Sequence, residues 1–104
     1  MVSVKIALKK SDLTEKKPVE VAVDGKKVFL VLLGGTLYAM DNICSHRGGP
    51  LNQGKLNDYT IECPWHGAKY DVRTGEGDSE TPWGTGQQKY NVKMDDSGEI
   101  WIDV

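Results

Sequence analysis

Four side chains that can bind a soft metal ion lie in two short groups. The first group is Cys44-Ser45-His46 and the second is Cys63-Pro64-Trp65-His66. Their spacing is C-x-H-x16-C-x2-H, and they include every cysteine and histidine in the chain. Glycine or proline stands beside each group, and such residues let a backbone bend around a metal centre. The sequence therefore predicts a metal site whose ligands are Cys44, His46, Cys63 and His66.

The same four residues could also reflect ordinary burial, a disulfide or a zinc site. Buried cysteines and surface histidines are each common separately, and a disulfide between Cys44 and Cys63 would leave both histidines without a role. A zinc site of two cysteines and two histidines is the main alternative. In C-x-H, however, the two ligands are separated by about 6–7 Å of extended chain. That separation suits two irons of one cluster better than a single tetrahedral ion.

Short strands dominate the rest of the sequence. Apolar residues alternate or are β-branched, and no segment of ten or more residues has a helical period. Asp24-Gly25 is a strong signal for a two-residue hairpin. We expect at most one helical turn, at residues 11–13, and an all-β antiparallel scaffold. Strands are predicted at residues 2–8, 19–23, 27–33, 36–40, 88–93 and 99–103, with shorter apolar pieces at 59–61 and 69–72.

The segment at about residues 42–77 differs in composition from the strands around it. It is rich in glycine, proline, cysteine and histidine, and it holds all four candidate ligands. The chain has no internal repeat and no linker, and its 104 residues suffice for one ordinary domain. We therefore predict a single domain, 1–104, in which sandwich-like sheets carry a loop-rich, metal-binding insert.

Charge and hydropathy narrow the classes of function. The net charge of −2 gives no support for nucleic-acid binding. Lysines outnumber acids in residues 1–27 and acids outnumber basic residues in residues 57–104, which fits two solvated faces or an acidic docking face near the metal. No apolar run approaches the roughly 20 residues of a membrane span. The first residues lack a secretory signal, and two cysteines do not form a disulfide framework, so no membrane association and a cytoplasmic location are predicted.

The ligand pattern resembles the signature of the Rieske 2Fe–2S proteins. In that family two cysteines bind one iron and two histidines bind the other. The resemblance extends along essentially the whole chain: residues 37–43 resemble the strand that precedes the first cluster loop, and residues 63–72 resemble the second cluster loop with its following strand. Residues 81–84, with Pro82, resemble the proline-containing loop that shields the cluster. The resemblance implies one Rieske-type 2Fe–2S cluster and the Rieske fold.

Residues around the ligands differ from those of the high-potential members of this family. Those proteins place a serine that donates to a cluster sulfide where this chain has Ala68, whereas Tyr70 matches their tyrosine that donates to a cysteine sulfur. Gly49 and Trp65 occupy the positions of their loop-joining disulfide. The resemblance therefore implies a low to intermediate potential. Ordinary packing is the simpler prediction for Trp65, with an apolar docking rim formed with Pro82 and Trp83 as the alternative, and Arg47 fits either a docking cation or a loop salt bridge.

The resemblance implies a soluble one-electron carrier, a ferredoxin that passes electrons from a reductase to an oxygenase or another acceptor protein. Catalysis of oxygenation would need a further iron held by two histidines and a carboxylate, and both histidines are already assigned to the cluster. We therefore predict an electron-transfer protein rather than an enzyme, and a monomer with weak redox partners. A small iron–sulfur subunit of a nitrite-reductase-like or other multicomponent oxidoreductase remains the alternative.

Overall fold

The fold is built almost entirely of strands. The computed structural model describes residues 3–44, 48–65, 67–78, 81 and 86–103. Its helical elements in these ranges are two single 3₁₀ turns, Lys10–Asp12 and Leu51–Gln53, and none is long and apolar enough to cross a bilayer. The strands within the described ranges are β1 (Ser3–Lys9), β2 (Val19–Val23), β3 (Lys26–Leu33), β4 (Thr36–Asp41), β5 (Lys55–Asn57), β6 (Thr60–Glu62), β7 (Lys69–Asp71), β8 (Lys89–Met94) and β9 (Glu99–Asp103).

Two antiparallel sheets are formed by these strands. The larger has the order β1-β9-β8-β4-β3-β2 and the smaller the order β5-β6-β7. The outermost strands of the larger sheet, β1 and β2, come into contact, so this sheet curls toward a barrel. The smaller sheet lies wholly between β4 and β8 in the sequence. The prediction of an all-β antiparallel scaffold with a loop-rich insert is therefore confirmed.

The meander β2-β3-β4 follows directly from local turn chemistry. Asp24 and Gly25 have φ angles of 50° and 80°, the left-handed conformation that a two-residue hairpin turn requires. This turn pairs Val23 with Lys26 and Val21 with Val28. The following turn at Gly34 and Gly35 pairs β3 with β4 along the whole length of β4. The three consecutive strands predicted here are confirmed.

Strand β3 is buried on both faces, which explains its unbroken apolar run. Val28 and Leu30 point into the curled sheet, where they pack with Ile100 and Ile102. The alternate residues point to the other side and pack against the insert, as successive side chains of a strand must. This second core contains Phe29, Val31, Leu33, Met40, Cys44, Leu51, Ile61, Cys63, Ala68, Tyr70 and Val72. The insert thus rests on the outer face of β3 and β4.

Some element boundaries differ from the sequence prediction. Strand β5 was not predicted, because Lys55-Leu56-Asn57 offers one apolar residue between two polar ones. Tyr59 begins the predicted apolar piece 59–61, and it lies with Asp58, whose φ is 54°, in the turn between β5 and β6. The helical turn begins at Lys10 rather than residue 11, and β8 runs from Lys89 to Met94 instead of 88–93. These shifts of one or two residues leave the topology unchanged.

Candidate metal centre

The first cysteine loop leaves the end of β4 and closes on itself through two backbone hydrogen bonds. The N–H of Cys44 donates to the carbonyl oxygen of Gly49 at 2.9 Å, and the N–H of Gly48 donates to the carbonyl oxygen of Cys44 at 2.8 Å. Gly48 has a φ of 76°, which a residue with a side chain rarely adopts. The loop is therefore a tight turn that starts and ends beside the cysteine.

The second cysteine loop has the same hydrogen-bond pattern. It follows β6, and the N–H of Cys63 donates to the carbonyl oxygen of Ala68 at 2.7 Å. The N–H of Gly67 donates to the carbonyl oxygen of Cys63 at 3.1 Å, and Gly67 has a φ of 73°. In both loops the two bonds join the cysteine, residue i, to residues i+4 and i+5. The two candidate cysteines are therefore presented by equivalent turns, as a pair of ligands to one centre requires.

The two loops meet at Gly49. A Cβ atom at this position would lie 2.8 Å from the Sγ atom of Cys63 and 3.1 Å from the nearest ring carbons of Trp65. The backbone of the first loop thus occupies space directly against the sulfur of the second loop. Since the N–H of Cys44 is bonded to the carbonyl of Gly49, this contact brings both cysteines to one place. Glycine is required there because of this close approach.

Burial of the cysteines shields the inner side of the site from water. Cys44 is 2% exposed and Cys63 is 1% exposed, and both belong to the core that packs on β3. Two soft sulfur ligands held together in an apolar environment suit an iron–sulfur cluster, whose potential depends on solvent exposure. The donor set and the cradle at Gly49 therefore fit a cluster of this kind.

The outer side of the two loops carries exposed apolar side chains. Trp65 is 58% exposed although its ring lies against Gly49, and Ile43 is 41% exposed. Both predictions for Trp65, ordinary packing over the cluster and a place in an apolar rim, therefore stay predictions. Its ring contacts the first loop with one part and presents the rest to solvent, because position 65 lies at the outer turn of the second loop.

Tyr70 provides a polar contact to the sulfur of Cys44. Its side chain is fully buried on β7, and its hydroxyl oxygen lies 3.3 Å from the Sγ atom of Cys44. A metal-bound thiolate carries no proton, so the hydroxyl is the donor whenever Cys44 is a ligand. Ala68 is also fully buried, and its methyl group can donate no hydrogen bond. Of these two predicted neighbours of the ligands, one therefore has a donor and the other has none.

Asn42 anchors the first loop and was not anticipated from the sequence. It is fully buried, and its Nδ2 atom donates to Oε2 of Glu20 at 2.6 Å and to Oδ1 of Asn52 at 2.9 Å. Its own Oδ1 accepts from the backbone N–H of Asn52 at 2.8 Å. Asn42 thus joins β2, the first loop and the 3₁₀ turn Leu51–Gln53. An amide residue two positions before a predicted ligand is the only signal that the sequence offers for it.

Gln87, from the segment before β8, also holds the first loop. Its Nε2 atom donates to the carbonyl oxygens of Asp41 at 2.9 Å and Ile43 at 2.7 Å. No motif or periodicity marks this residue, because its partners are 44 and 46 residues away along the chain.

A charged pair borders the insert on the side of β7. The guanidinium of Arg73 donates to both carboxylate oxygens of Asp71, at 2.8 and 3.1 Å, and these bonds hold the pKa of Asp71 below its usual range. The guanidinium also lies over the ring of Tyr59, 4.4 Å from its centroid, and Tyr59 meets Tyr38 of β4 edge to face. These contacts attach the smaller sheet to the larger one and serve structure rather than chemistry.

Several predicted site residues lie outside the described residues. These are the two candidate histidine ligands, the cation beside the first of them and two residues of the proline-containing loop. They are His46, His66, Arg47, Pro82 and Trp83. Of the predicted site residues that are described, the structure brings together Cys44, Gly49, Cys63, Trp65, Ala68 and Tyr70.

Comparison with known proteins identifies one family. The model of the Rieske [2Fe-2S] domain matches residues 3–91. The chain is 39% identical over 66 residues to the ferredoxin component of a naphthalene 1,2-dioxygenase system from Pseudomonas putida, and the match spans 64% of each protein. It is 37% identical over 84 residues to the ferredoxin component of naphthalene 1,2-dioxygenase/salicylate 5-hydroxylase systems from Ralstonia sp, covering 81% of this chain and 80% of the relative.

A solved structure extends this likeness to nearly the whole chain. It is the ferredoxin of carbazole 1,9a-dioxygenase from Nocardioides aromaticivorans IC177, which is 33% identical. The two structures superpose with a TM-score of 0.88, covering 98% of this chain and 97% of the other. The predicted fold class is thus confirmed by a solved relative as well as by the strand order.

Proposed function

The chain belongs to the Rieske [2Fe-2S] domain family and carries one Rieske-type 2Fe–2S cluster, and on that premise we propose that it is a ferredoxin, a one-electron carrier between proteins. The observation that carries this proposal is the pair of equivalent cysteine loops that meet at Gly49. The relatives are named as ferredoxin components of dioxygenase systems, which supports the same role here.

The proposed ligands are Cys44 and Cys63 for one iron and His46 and His66 for the other. This division follows the family pattern of two sulfur and two imidazole ligands. It is supported by the equal hydrogen bonding of the two cysteines, and in the sequence one histidine stands between each cysteine and the glycine that closes its turn. One domain, residues 1–104, would then hold the whole site, with the ligands in the insert at about 42–77.

The cluster supplies a centre that accepts and releases one electron. Two histidines in place of two thiolates leave the oxidised centre neutral rather than doubly negative, so an electron is added more easily. Rieske potentials extend from roughly −150 to +300 mV. This chain provides the hydroxyl of Tyr70 at 3.3 Å from the Sγ atom of Cys44 but no hydroxyl at position 68. We therefore place its potential in the low to intermediate part of this range.

The residues also argue for electron transfer rather than catalysis. Activation of oxygen by a mononuclear iron requires two further histidines and a carboxylate, and the chain has two histidines in all. With both assigned to the cluster, the chain has no histidine left for a second iron site. The proposed role is therefore that of a carrier and not of an enzyme.

The proposed partners are a reductase, which donates the electron, and the terminal oxygenase of a dioxygenase system, which accepts it. The exposed side chains of Trp65 and Ile43 lie beside the cysteine loops, where a partner would shorten the electron path. Carriers form small, short-lived interfaces, so we propose that the protein is a monomer. We also propose that it acts in the cytoplasm, where its two cysteines would stay reduced and available to the cluster. A small subunit of a nitrite-reductase-like complex is the alternative, which stable co-purification with a larger enzyme would reveal.

The decisive experiment measures the cluster and its electron transfer in the same preparation. Protein purified without oxygen is assayed for iron and acid-labile sulfide, and its EPR spectrum is recorded after dithionite reduction. We expect two irons and two sulfides per chain and a Rieske spectrum. The reduced protein is then mixed with the oxidised terminal oxygenase of a naphthalene 1,2-dioxygenase system, and one electron per chain is expected to transfer. Colourless protein with one zinc ion would refute the cluster assignment.

A further inference from the structure

Gln87 makes an unusual set of contacts for a side chain outside the cysteine loops. It is 9% exposed, and its Nε2 atom donates to two backbone carbonyl oxygens, those of Asp41 and Ile43. A primary amide has two N–H groups, and both are used in these bonds. The two acceptors stand on either side of Asn42, so one carboxamide spans the backbone that leads into the first cysteine loop.

Backbone hydrogen bonds tie the same segment in place. The N–H of Asp41 donates to the carbonyl of Gln88 at 2.8 Å, and the N–H of Gln87 donates to the carbonyl of Gly75 at 2.7 Å. Gln87 is therefore bonded through its backbone to the segment after β7, and its neighbour Gln88 is bonded to the end of β4. Its carboxamide acts from this anchored backbone on the segment before Cys44.

The bond to Ile43 acts directly on the peptide group of the candidate ligand. The carbonyl of Ile43 and the N–H of Cys44 belong to one planar peptide unit. The carbonyl accepts from Gln87 at 2.7 Å, while the N–H donates to the carbonyl of Gly49 at 2.9 Å. A planar group bonded on both sides has a fixed orientation. The direction in which Cys44 projects its sulfur toward Tyr70 depends on that orientation.

We infer that Gln87 is a positioning residue for Cys44, which acts through the peptide between Ile43 and Cys44 and thereby sets the properties of the cluster. The inference rests on the proposed assignment of Cys44 as a cluster ligand. Loss of the carboxamide removes the donors of two carbonyl groups. The peptide then keeps its N–H bond to Gly49 but loses the bond on its carbonyl side, so it can tilt away from the geometry that places the sulfur near the hydroxyl of Tyr70.

The neighbouring residue provides a matched control. Gln88 has the same side chain, but it is exposed, and its Nε2 atom donates only to the carbonyl of the next residue, Lys89, among the bonds that the structure describes. The contact of Gln88 with Asp41 is made by its backbone carbonyl and survives any change of side chain. Gln88→Met therefore changes the same chemical group without touching the first loop.

The test compares Gln87→Met, Gln87→Asn and Gln88→Met with the parent holoprotein. EPR g-values, the midpoint potential and the rate of cluster loss to an iron chelator are measured for each. For Gln87→Met we expect altered g-values and a lower potential, because the sulfur of Cys44 moves away from the hydroxyl of Tyr70. We also expect about tenfold faster cluster loss, because two buried carbonyls lose their donors. Gln87→Asn, whose shorter side chain cannot reach both carbonyls, should show changes of the same direction. Gln88→Met should match the parent.

Each outcome decides the inference. If both Gln87 variants keep the parent spectrum and potential and merely melt at a lower temperature, Gln87 is a structural residue and the inference is wrong. If Gln87→Met yields no holoprotein, the spectrum and potential of Gln87→Asn decide in the same way. A parent protein without a Rieske spectrum would overturn the ligand assignment itself, and this inference with it. A normal parent with unchanged variants would overturn this inference alone.

Discussion

The two cysteine loops are alike in their backbone and different in their surroundings. Both close through hydrogen bonds from residue i to residues i+4 and i+5, and both place glycine at i+4. The residue at i+5 differs: it is Gly49 in the first loop, where a methyl group would collide with Cys63, and the buried Ala68 in the second. The backbone therefore determines how a cysteine is presented, whereas the neighbours of each loop determine what its sulfur experiences.

The anchoring of the loops differs as well. The first loop is held by the buried amides of Asn42 and Gln87, and its cysteine sulfur lies near the hydroxyl of Tyr70. The second loop joins β6 to β7, where Ile61 pairs with Tyr70, and it also touches Gly49 of the first loop. Buried amide side chains from elsewhere in the chain hold the first loop, whereas the second loop lies between two paired strands of the smaller sheet. Variants in each can test this difference.

The largest effect is expected from removal of either sulfur. Cys44→Ala and Cys63→Ala should each abolish the cluster, because one iron would keep a single thiolate ligand. Equal loss of visible absorbance and acid-labile sulfide in both variants would support the equivalence of the loops. A coloured protein from either variant would show that its cysteine is not a ligand.

The next largest effect should follow from a methyl group at position i+5 of the first loop. In Gly49→Ala the new Cβ would lie 2.8 Å from the Sγ atom of Cys63, which cannot move while it binds iron. We expect less than half of the parent iron content. The reverse change in the other loop, Ala68→Gly, should keep the cluster and cost about 1 kcal/mol through the lost methyl group and added backbone freedom. Equal iron content in the two variants would contradict the difference between the loops.

A moderate effect is expected when the donor to Cys44 is removed. Tyr70→Phe should lower the midpoint potential by on the order of 20–60 mV, because a hydrogen bond to a cluster sulfur stabilises the reduced, more negative form. Tyr38→Phe is the control, since Tyr38 contacts the ring of Tyr59 instead. Protein-film voltammetry measures both. Equal potentials for Tyr70→Phe and the parent would remove the hydrogen-bond account of the potential.

A smaller effect of opposite sign is expected in the second loop. Ala68→Ser introduces a hydroxyl where the high-potential relatives have one, and it should raise the potential by on the order of 20 mV. We expect a smaller change in potential than for Tyr70→Phe, because position 68 is fully buried and the added oxygen must displace neighbouring atoms. Protein-film voltammetry of Ala68→Ser measures this change in potential, with Ala68→Gly as the control. A lowered potential would mean that the hydroxyl does not point to the cluster.

The smallest effect concerns Tyr90, which supports the strand before the first loop. Its hydroxyl donates to Oδ1 of Asp41 at 2.6 Å, and burial with this bond raises the pKa of Tyr90 from 10.0 to about 12. The pKa of Tyr90 is higher in the folded than in the unfolded protein. Its bond to Asp41 therefore contributes fully to the free energy of unfolding below pH 10, and this contribution is lost as the pH rises toward 12. Tyr90→Phe should cost about 1 kcal/mol near neutrality. The difference in melting temperature between the parent and Tyr90→Phe should shrink between pH 8 and pH 11, and a constant difference would contradict the raised pKa.

Local signals made most of the fold predictable. Asp24-Gly25 determines a turn by itself, and the apolar run from Val28 to Leu33 could only be a buried strand. The candidate cysteines were predictable for the same reason, since their types and spacing lie within short segments. Strand β5 was missed because it has one partly buried apolar residue and depends on pairing with β6.

Features that depend on distant contacts could not be predicted. Gln87 meets partners 44 and 46 residues away, and Asn42 meets Glu20 from a separate strand. The exposure of Trp65 depends on how the second loop turns against Gly49, which no periodicity encodes. The sequence therefore predicts which residues can bind a metal better than it predicts which residues hold them in place.

The double burial of β3 has a consequence for the accuracy of folding. Phe29 and Val31 fill one interior and Val28 and Leu30 fill another, so hydrophobicity alone does not distinguish the two faces of this strand. A slip of one residue would exchange the two sets and still bury apolar groups on both sides. The turns at the two ends of the strand, Asp24-Gly25 and Gly34-Gly35, must therefore supply the alignment that the strand itself does not specify. Four turn residues thus decide which side chains lie beneath the cysteines.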